Sequence, residues 1–174
     1  MQIRESINSE ISTLFDLHRR AFGEPEGDTV AQLAIDLLED PTAAPLLSLV
    51  AAEAGEILGH CIFSTISVAD KATPGAYILS PLAVDPGAQS AGIGSSLINN
   101  GLELLRNNGG ELVMVLGDPN YYRRFGFHTE HQLSAPHALE YPEAWMAQAL
   151  QPGALDRISG AVRCADVLNA PEHW

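Results

Sequence analysis

The sequence predicts an α/β fold with a mixed sheet, and three observations carry the prediction. Residues 76–116 read as a strand, a glycine-rich loop, an amphipathic helix and a continuously apolar strand, which is a βαβ unit with a right-handed crossover. Upstream, two apolar runs joined by Ala54-Gly55-Glu56 read as an antiparallel hairpin. No second βαβ pattern follows, so parallel and antiparallel pairs are expected in one sheet.

Each element has its own warrant. Gln2 to Ser6 alternates weakly, as a first strand would. Ile11, Leu14, Phe15, His18 and Phe22 share one helical face, with Ser9 as the expected N-cap. Pro25 and Gly27 break the pattern. Val30, Leu33, Ala34, Leu37 and Leu38 form a second helix, capped by Asp28 and ended by Pro41. Leu47–Glu53 and Ile57–Val68 are the hairpin strands, and Thr73-Pro74-Gly75 is a turn. Ala76–Val84 is a strand closed by Asp85-Pro86-Gly87. Gly92–Asn107 is a helix that buries Ile93, Leu97, Ile98, Gly101, Leu104 and Leu105. Asn108-Gly109-Gly110 stops it, because glycine tolerates the left-handed conformation at a helix end. Leu112–Leu116 has the unbroken apolarity of a strand covered on both faces. Beyond Ala135 the pattern weakens. Pro142–Leu150 is expected to be a helix and Gly160–Val167 a last strand.

Composition narrows the function classes. A length of 174 residues with 46% hydrophobic residues predicts one domain over residues 1–174 with a sizeable core. No apolar run approaches the ~20 residues that span a bilayer, and the N-terminus lacks the basic and apolar regions of a secretory leader. Cys61 and Cys164 are far apart in apolar segments and read as buried free thiols. No CxxC or His/Cys cluster suggests a metal site. Together these features predict a cytoplasmic protein without metal. The net charge of -13 argues against nucleic-acid binding, which needs a basic footprint. The nine cations are Lys71 and eight arginines, so an anion site must use arginine and backbone N–H groups.

The loop Val84 to Ser96 is the segment with a chemical signature. Glycines before a helix N-terminus gather unpaired N–H groups where the helix dipole is positive, which suits phosphate. Gly87 and Gly92 have the spacing of a nucleotide-binding P-loop, but Ile93 stands where the lysine must be. Gly92 and Gly94 begin a dinucleotide fingerprint, but Leu97 stands where its third glycine must be. Gln89-x-x-Gly92-x-Gly94 after Leu82-Ala83-Val84-Asp85-Pro86 does fit a third type. It resembles the acetyl-CoA loop, Q/R-x-x-G-x-G/A, of the GNAT superfamily of N-acetyltransferases. Downstream, Asn120-Tyr121-Tyr122-Arg123-Arg124-Phe125-Gly126-Phe127 resembles the family's YxxxGF segment, a short helix running into the next strand. With Gly117-Asp118-Pro119 before it, the segment resembles the YhbS-like branch of predicted N-acetyltransferases. The resemblance is strong over residues 76–130, and over 1–75 it extends to the order of elements.

The resemblance implies a mostly antiparallel mixed sheet with a central, splayed parallel strand pair flanked by helices. It implies that acetyl-CoA is the co-substrate. Gln89, Ser90 and the amides of Ala91, Gly92, Ile93, Gly94 and Ser95 would cradle its pyrophosphate. Main-chain groups of Leu82, Ala83 and Val84 would hold the pantetheine arm, with Pro81 at a bulge or splay point. Tyr122 would be the general acid, the alternative being a core aromatic; Tyr121 is expected to pack. Arg123 is assigned to the cofactor, with Arg124 as the alternative. Glu53, His60, His18 and His128 remain open as the base, and His18 reads as a packed histidine. The strand Tyr77-Ile78-Leu79-Ser80-Pro81 offers no acid before Asp85. The implied reaction is acetyl transfer to a primary amine of a small molecule or peptide by direct attack in a ternary complex. Neither cysteine lies in the motifs, which argues against an acyl-enzyme. A second reading is a catalytically weak acyl-CoA sensor or interaction module. A third is a longer acyl donor, with Tyr141, Trp145 and Met146 lining an acceptor or acyl pocket or packing in the core. Monomer or homodimer, with no nucleic acid and no membrane, completes the expectation.

Overall fold

The structure, a computed structural model, describes residues 1–174. The strands are β1 (Gln2–Glu5), β2 (Leu47–Glu53), β3 (Glu56–Thr65), β4 (Ser67–Val68), β5 (Ala76–Val84), β6 (Leu112–Leu116), β7 (Leu133–Ser134), β8 (Trp145–Ala149) and β9 (Gly160–Arg163). The helices are α1 (Ile11–Phe22), α2 (Gly27–Glu39), α3 (Ile93–Asn107), α4 (Pro119–Tyr122) and α5 (Ala154–Arg157). The main sheet runs β1-β2-β3-β5-β6-β8, and β4-β9-β7 form a small second sheet. Every pair in the main sheet is antiparallel except β5–β6, which α3 connects. The mixed sheet and its βαβ unit are therefore as the sequence predicts.

The β2–β3 hairpin turns on Ala54 (φ 50°) and Gly55 (φ 82°). Two consecutive left-handed residues twist the chain in the sense that matches paired strands. The predicted strand Ile57–Val68 is split. Ile66 is buried and its N–H donates to the Ala76 carbonyl (3.0 Å), and the chain then leaves for the second sheet.

Strands β5 and β6 pair only from Ala76 to Ile78. Beyond Ile78 they part. On its other edge β5 stays with β3, but the register slips between Cys61–Leu82 and Phe63–Leu79. Ser80 and Pro81 together stand opposite the single residue Ile62. Pro81 has no N–H to give to a ladder, so a bulge accommodates it at little cost.

The helices differ from expectation at their starts. Ser9 does not cap α1. A 3-10 turn over Asn8–Glu10 precedes it, and the Glu10 carboxylate accepts the Ile7 N–H (2.9 Å) while pairing with Arg4. Asp28 lies inside the first turn of α2 and makes no cap hydrogen bond. In α3 the buried side is Ile93, Leu97, Ile98, Gly101, Leu102 and Leu105, and Leu104 is exposed. A side chain at Gly101 would collide with the Phe63 ring, so glycine sets how closely α3 lies on β3.

The largest correction concerns Pro142–Leu150. The segment is a 3-10 turn at Pro142–Ala144 followed by β8, not a helix. Its Ala and Gln residues favour helix weakly, but the open edge of β6 offers five paired positions, from Leu112–Ala149 to Leu116–Trp145. Pairing a buried edge outweighs a propensity of a few tenths of a kcal/mol per residue. The residues directly after Phe127 form no strand, only an isolated bridge between His128 and Ala147.

Apolar residues fill both faces of the sheet. One cluster joins α2 and the C-terminal segment to Ile62, Ile78, Met114 and Trp145. The other packs α3 on Leu49, Phe63, Val113 and Phe127. Cys61 and Cys164 are free and buried, and burial pushes the Cys164 thiol up to about 12. No helix is long and apolar enough to cross a membrane.

Candidate active site

The splay of β5 from β6 opens a cleft of about 770 Å³. One wall is the strand segment Leu82, Ala83 and Val84. The Asp85 N–H donates to Leu58 of β3 (2.8 Å). Alternation along a strand then turns the amides of Val84 and Leu82 to the opposite edge, into the cleft. The Gln89 side chain reaches back to the Val84 carbonyl (Nε2 to O, 3.3 Å).

The end of the cleft is the glycine loop. Gln89, Ser90, Gly92, Ile93, Gly94 and Ser95 line it, whereas exposed Ala91 does not. Ser90 (φ 66°) and Gly92 (φ 81°) are left-handed, which turns the chain sharply into α3. The first backbone bond of the helix runs from the Ser96 N–H to the Gly92 carbonyl (3.0 Å), and no side chain caps the start. The amides of Ile93, Gly94 and Ser95 are therefore unpaired at the positive end of a 15-residue helix. Gly94 is buried beneath Tyr121. A Cβ there would lie 2.6 Å from the Tyr121 hydroxyl oxygen.

Tyr121 and one arginine close this region. Tyr121, expected only to pack, lines the cleft beside Arg124, whose guanidinium stacks on its ring at 4.7 Å. Arg123 is exposed and does not line the cleft. The cation at the cleft is therefore Arg124 rather than Arg123. A 3-10 turn at Arg123–Phe125 follows α4 directly and shifts which side chains share a face. Tyr122 faces the other way. Its ring lies over Gly117 and meets Tyr121 (5.0 Å) and Phe127 (5.8 Å) edge-on. Burial, then the neighbouring Tyr121 and Cys61, push its hydroxyl well above the ordinary tyrosine value.

Tyr122 opens onto a second cavity, of about 730 Å³, between the α1–α2 segment, the β5 bulge, the start of α4 and the C-terminal segment. Phe22 and Leu82 line both spaces. Phe22 and the tail residues Glu172 and His173 had no motif to mark them. The only signal for Phe22 was a large aromatic at the end of an amphipathic helix.

The other candidate bases are elsewhere. His60 and His18 are fully buried and bonded to each other (Nδ1 to Nε2, 2.7 Å), and His60 Nε2 meets Ser48 Oγ (2.7 Å), which meets Ser6 Oγ (2.6 Å). Burial holds both rings neutral, with the His18 pKa lowered to about 4. Glu53 is exposed near the N-terminal amine (3.6 Å) and His128 is exposed. Asp85 caps Gly87 (2.9 Å) and pairs with Arg20 (2.6 Å). Trp145 and Met146 are core residues, and Tyr141 is exposed. No group of three or more His, Cys, Asp and Glu is placed to hold a metal.

Residues 11–127 match the model of the Acetyltransferase (GNAT) family. The N-acetyltransferase YjhQ of Escherichia coli K12, itself uncharacterized, is 40% identical over 167 residues, 91% of this chain and 88% of its own. The crystal structure of E. coli YhbS, a GNAT family N-acetyltransferase in complex with CoA, superposes with a TM-score of 0.88 at 31% identity, covering 98% of this chain and 92% of that one. A GNAT family acetyltransferase of Brucella melitensis in complex with acetyl-CoA superposes at 0.78 and 30% identity, covering 96% and 97%. The splayed pair β5–β6, the loop Gln89–Ser95 and these likenesses agree: the chain belongs to the GNAT family of acetyltransferases.

Proposed function

We propose that residues 1–174 form one catalytic domain that transfers an acetyl group from acetyl-CoA to a primary amine of a small molecule or peptide. The observation that carries this is the continuity of three features. The unpaired edge of β5 leads at one end to the unpaired amides of the loop, and at the other to the Tyr122 hydroxyl.

The residues fit the cofactor. Amides of Ile93, Gly94 and Ser95, with Arg124, suit the pyrophosphate, and the N–H and C=O groups of Leu82 and Val84 suit the amides of the pantetheine arm. Acetyl-CoA bound there supplies an activated acetyl thioester. Tyr122 keeps its proton at neutral pH, because burial disfavours the phenolate. It is thereby a general acid for a departing thiolate. Amine attack is direct, since Cys61 and Cys164 are buried with raised pKa values.

Thermal shift and calorimetry with acetyl-CoA, then thiol release across an amine panel, test the reading. The expected results are a raised melting temperature and amine-dependent release. Absence of any binding at millimolar acetyl-CoA overturns it.

A further inference from the structure

Resting on that reading, we propose that the second cavity is the acceptor site for a small primary amine bearing a second positive charge, held by Glu26 and Glu172 with Asp118. The cavity touches the donor cleft through Phe22 and Leu82, and Tyr122 lines it. Those contacts place it where an acceptor must be.

Its charge then selects the acceptor. Three carboxylates line it, from three separate segments: Glu26 before α2, Asp118 before α4 and Glu172 near the C-terminus. No lysine or arginine lines it. Glu26 makes no ion pair, and Glu172 has only the imidazole of His173 at 3.5 Å. Burial lowers the His173 pKa against the opposing pull of Glu172, so its ring does not offset the negative charge. Asp118 accepts the Asn120 N–H at Oδ1 (2.9 Å) and makes no ion pair. The donor cleft is the reverse: it has Arg124 and no carboxylate.

These carboxylates suit a charge that stays. A carboxylate beside the reacting nitrogen would hold it as an unreactive ammonium. The carboxylates therefore serve a second ammonium group, while the reacting nitrogen lies nearer Leu82 and Tyr122. Val30, Leu33, Leu79 and Pro81 supply an apolar wall for the methylenes between the two. A volume of about 730 Å³ admits a whole small molecule. An aliphatic diamine or triamine meets all of these conditions.

The test compares kcat/KM for putrescine, spermidine, butylamine and γ-aminobutyrate by thiol release, with acetyl-CoA affinity measured on the same samples. Putrescine or spermidine is expected to exceed butylamine by about tenfold or more, and γ-aminobutyrate to be poorest. In the double variant Glu26→Gln/Glu172→Gln the putrescine-to-butylamine ratio should fall towards one, chiefly through KM, while acetyl-CoA affinity reports an intact fold. Equal use of putrescine and butylamine overturns the proposal, as does a preference that survives the double variant. If acetyl-CoA does not bind, the donor reading fails, and calorimetry of putrescine alone still decides this one. Binding at millimolar putrescine that the double variant loses supports the acidic site, and no binding overturns it.

Discussion

The two cavities of this protein share Phe22 and Leu82 yet are built in opposite ways. The donor cleft comes mostly from one continuous stretch, Leu82 to Ser95, and presents Arg124 with unpaired amides. The second cavity draws on four distant segments, near residues 22–33, 79–82, 116–122 and 172–173, and presents three carboxylates. A ligand common to a family, such as acetyl-CoA, needs one recurring backbone shape, and a local motif encodes it. A ligand particular to one enzyme is met by side chains that the fold gathers from afar. The sign of charge follows the same division, with Arg124 on one side and three carboxylates on the other.

Four experiments break or sharpen the contrast. The largest effect belongs to the boundary. Tyr122→Phe should lower kcat by about 10²-fold or more while acetyl-CoA affinity stays near that of the parent. An unchanged kcat would remove Tyr122 from the acid role and unlink the cavities.

Acid should dissolve both at once. His18 and His60 are neutral in the folded protein, with pKa values lowered by burial. As pH falls from about 6.5 towards 4, the unfolded chain takes up protons that the folded one refuses. Stability is thus full above that window and is lost on descending through it, by on the order of 3 kcal/mol for His18. Urea unfolding across that range measures the slope, and His18→Leu should flatten it.

Gly94→Val separates the cavities. A side chain there displaces Tyr121 and fills the loop, so the acetyl-CoA Kd should rise about tenfold or more, ~1.4 kcal/mol. Calorimetry reads this, and putrescine binding should persist. The smallest effect is that of Arg124→Gln. Exposed charge is screened, so a few-fold rise in Kd is expected, together with a weaker salt dependence. A larger loss for Arg123→Gln would restore the original assignment.

Legibility tracked chain distance. Glycines at 92 and 94, the apolar run 112–116 and the hairpin at Ala54-Gly55 announce local conformations, and each element appears where its residues predict. The position of Tyr122 was legible because α4 follows β6 at once. Tyr121 and Arg124 were misjudged because α4 has only four residues before it tightens into a 3-10 turn. No periodicity reports side-chain direction over so short a span. Residues 142–150 were misread for a different reason. Their state depends on the free edge of β6, which lies in another part of the chain.

By itself the sequence determined the βαβ unit, the glycine loop and hence the donor. Each follows from neighbouring residues, whose backbone preferences and spacing act without knowledge of the rest. Only the tertiary structure decided which arginine meets the cleft, that residues 145–149 pair as β8, and that Glu26, Asp118 and Glu172 line one cavity. That shared lining is set by the packing of α2, β5 and the C-terminal segment around a common core, and that depends on contacts between residues more than a hundred positions apart.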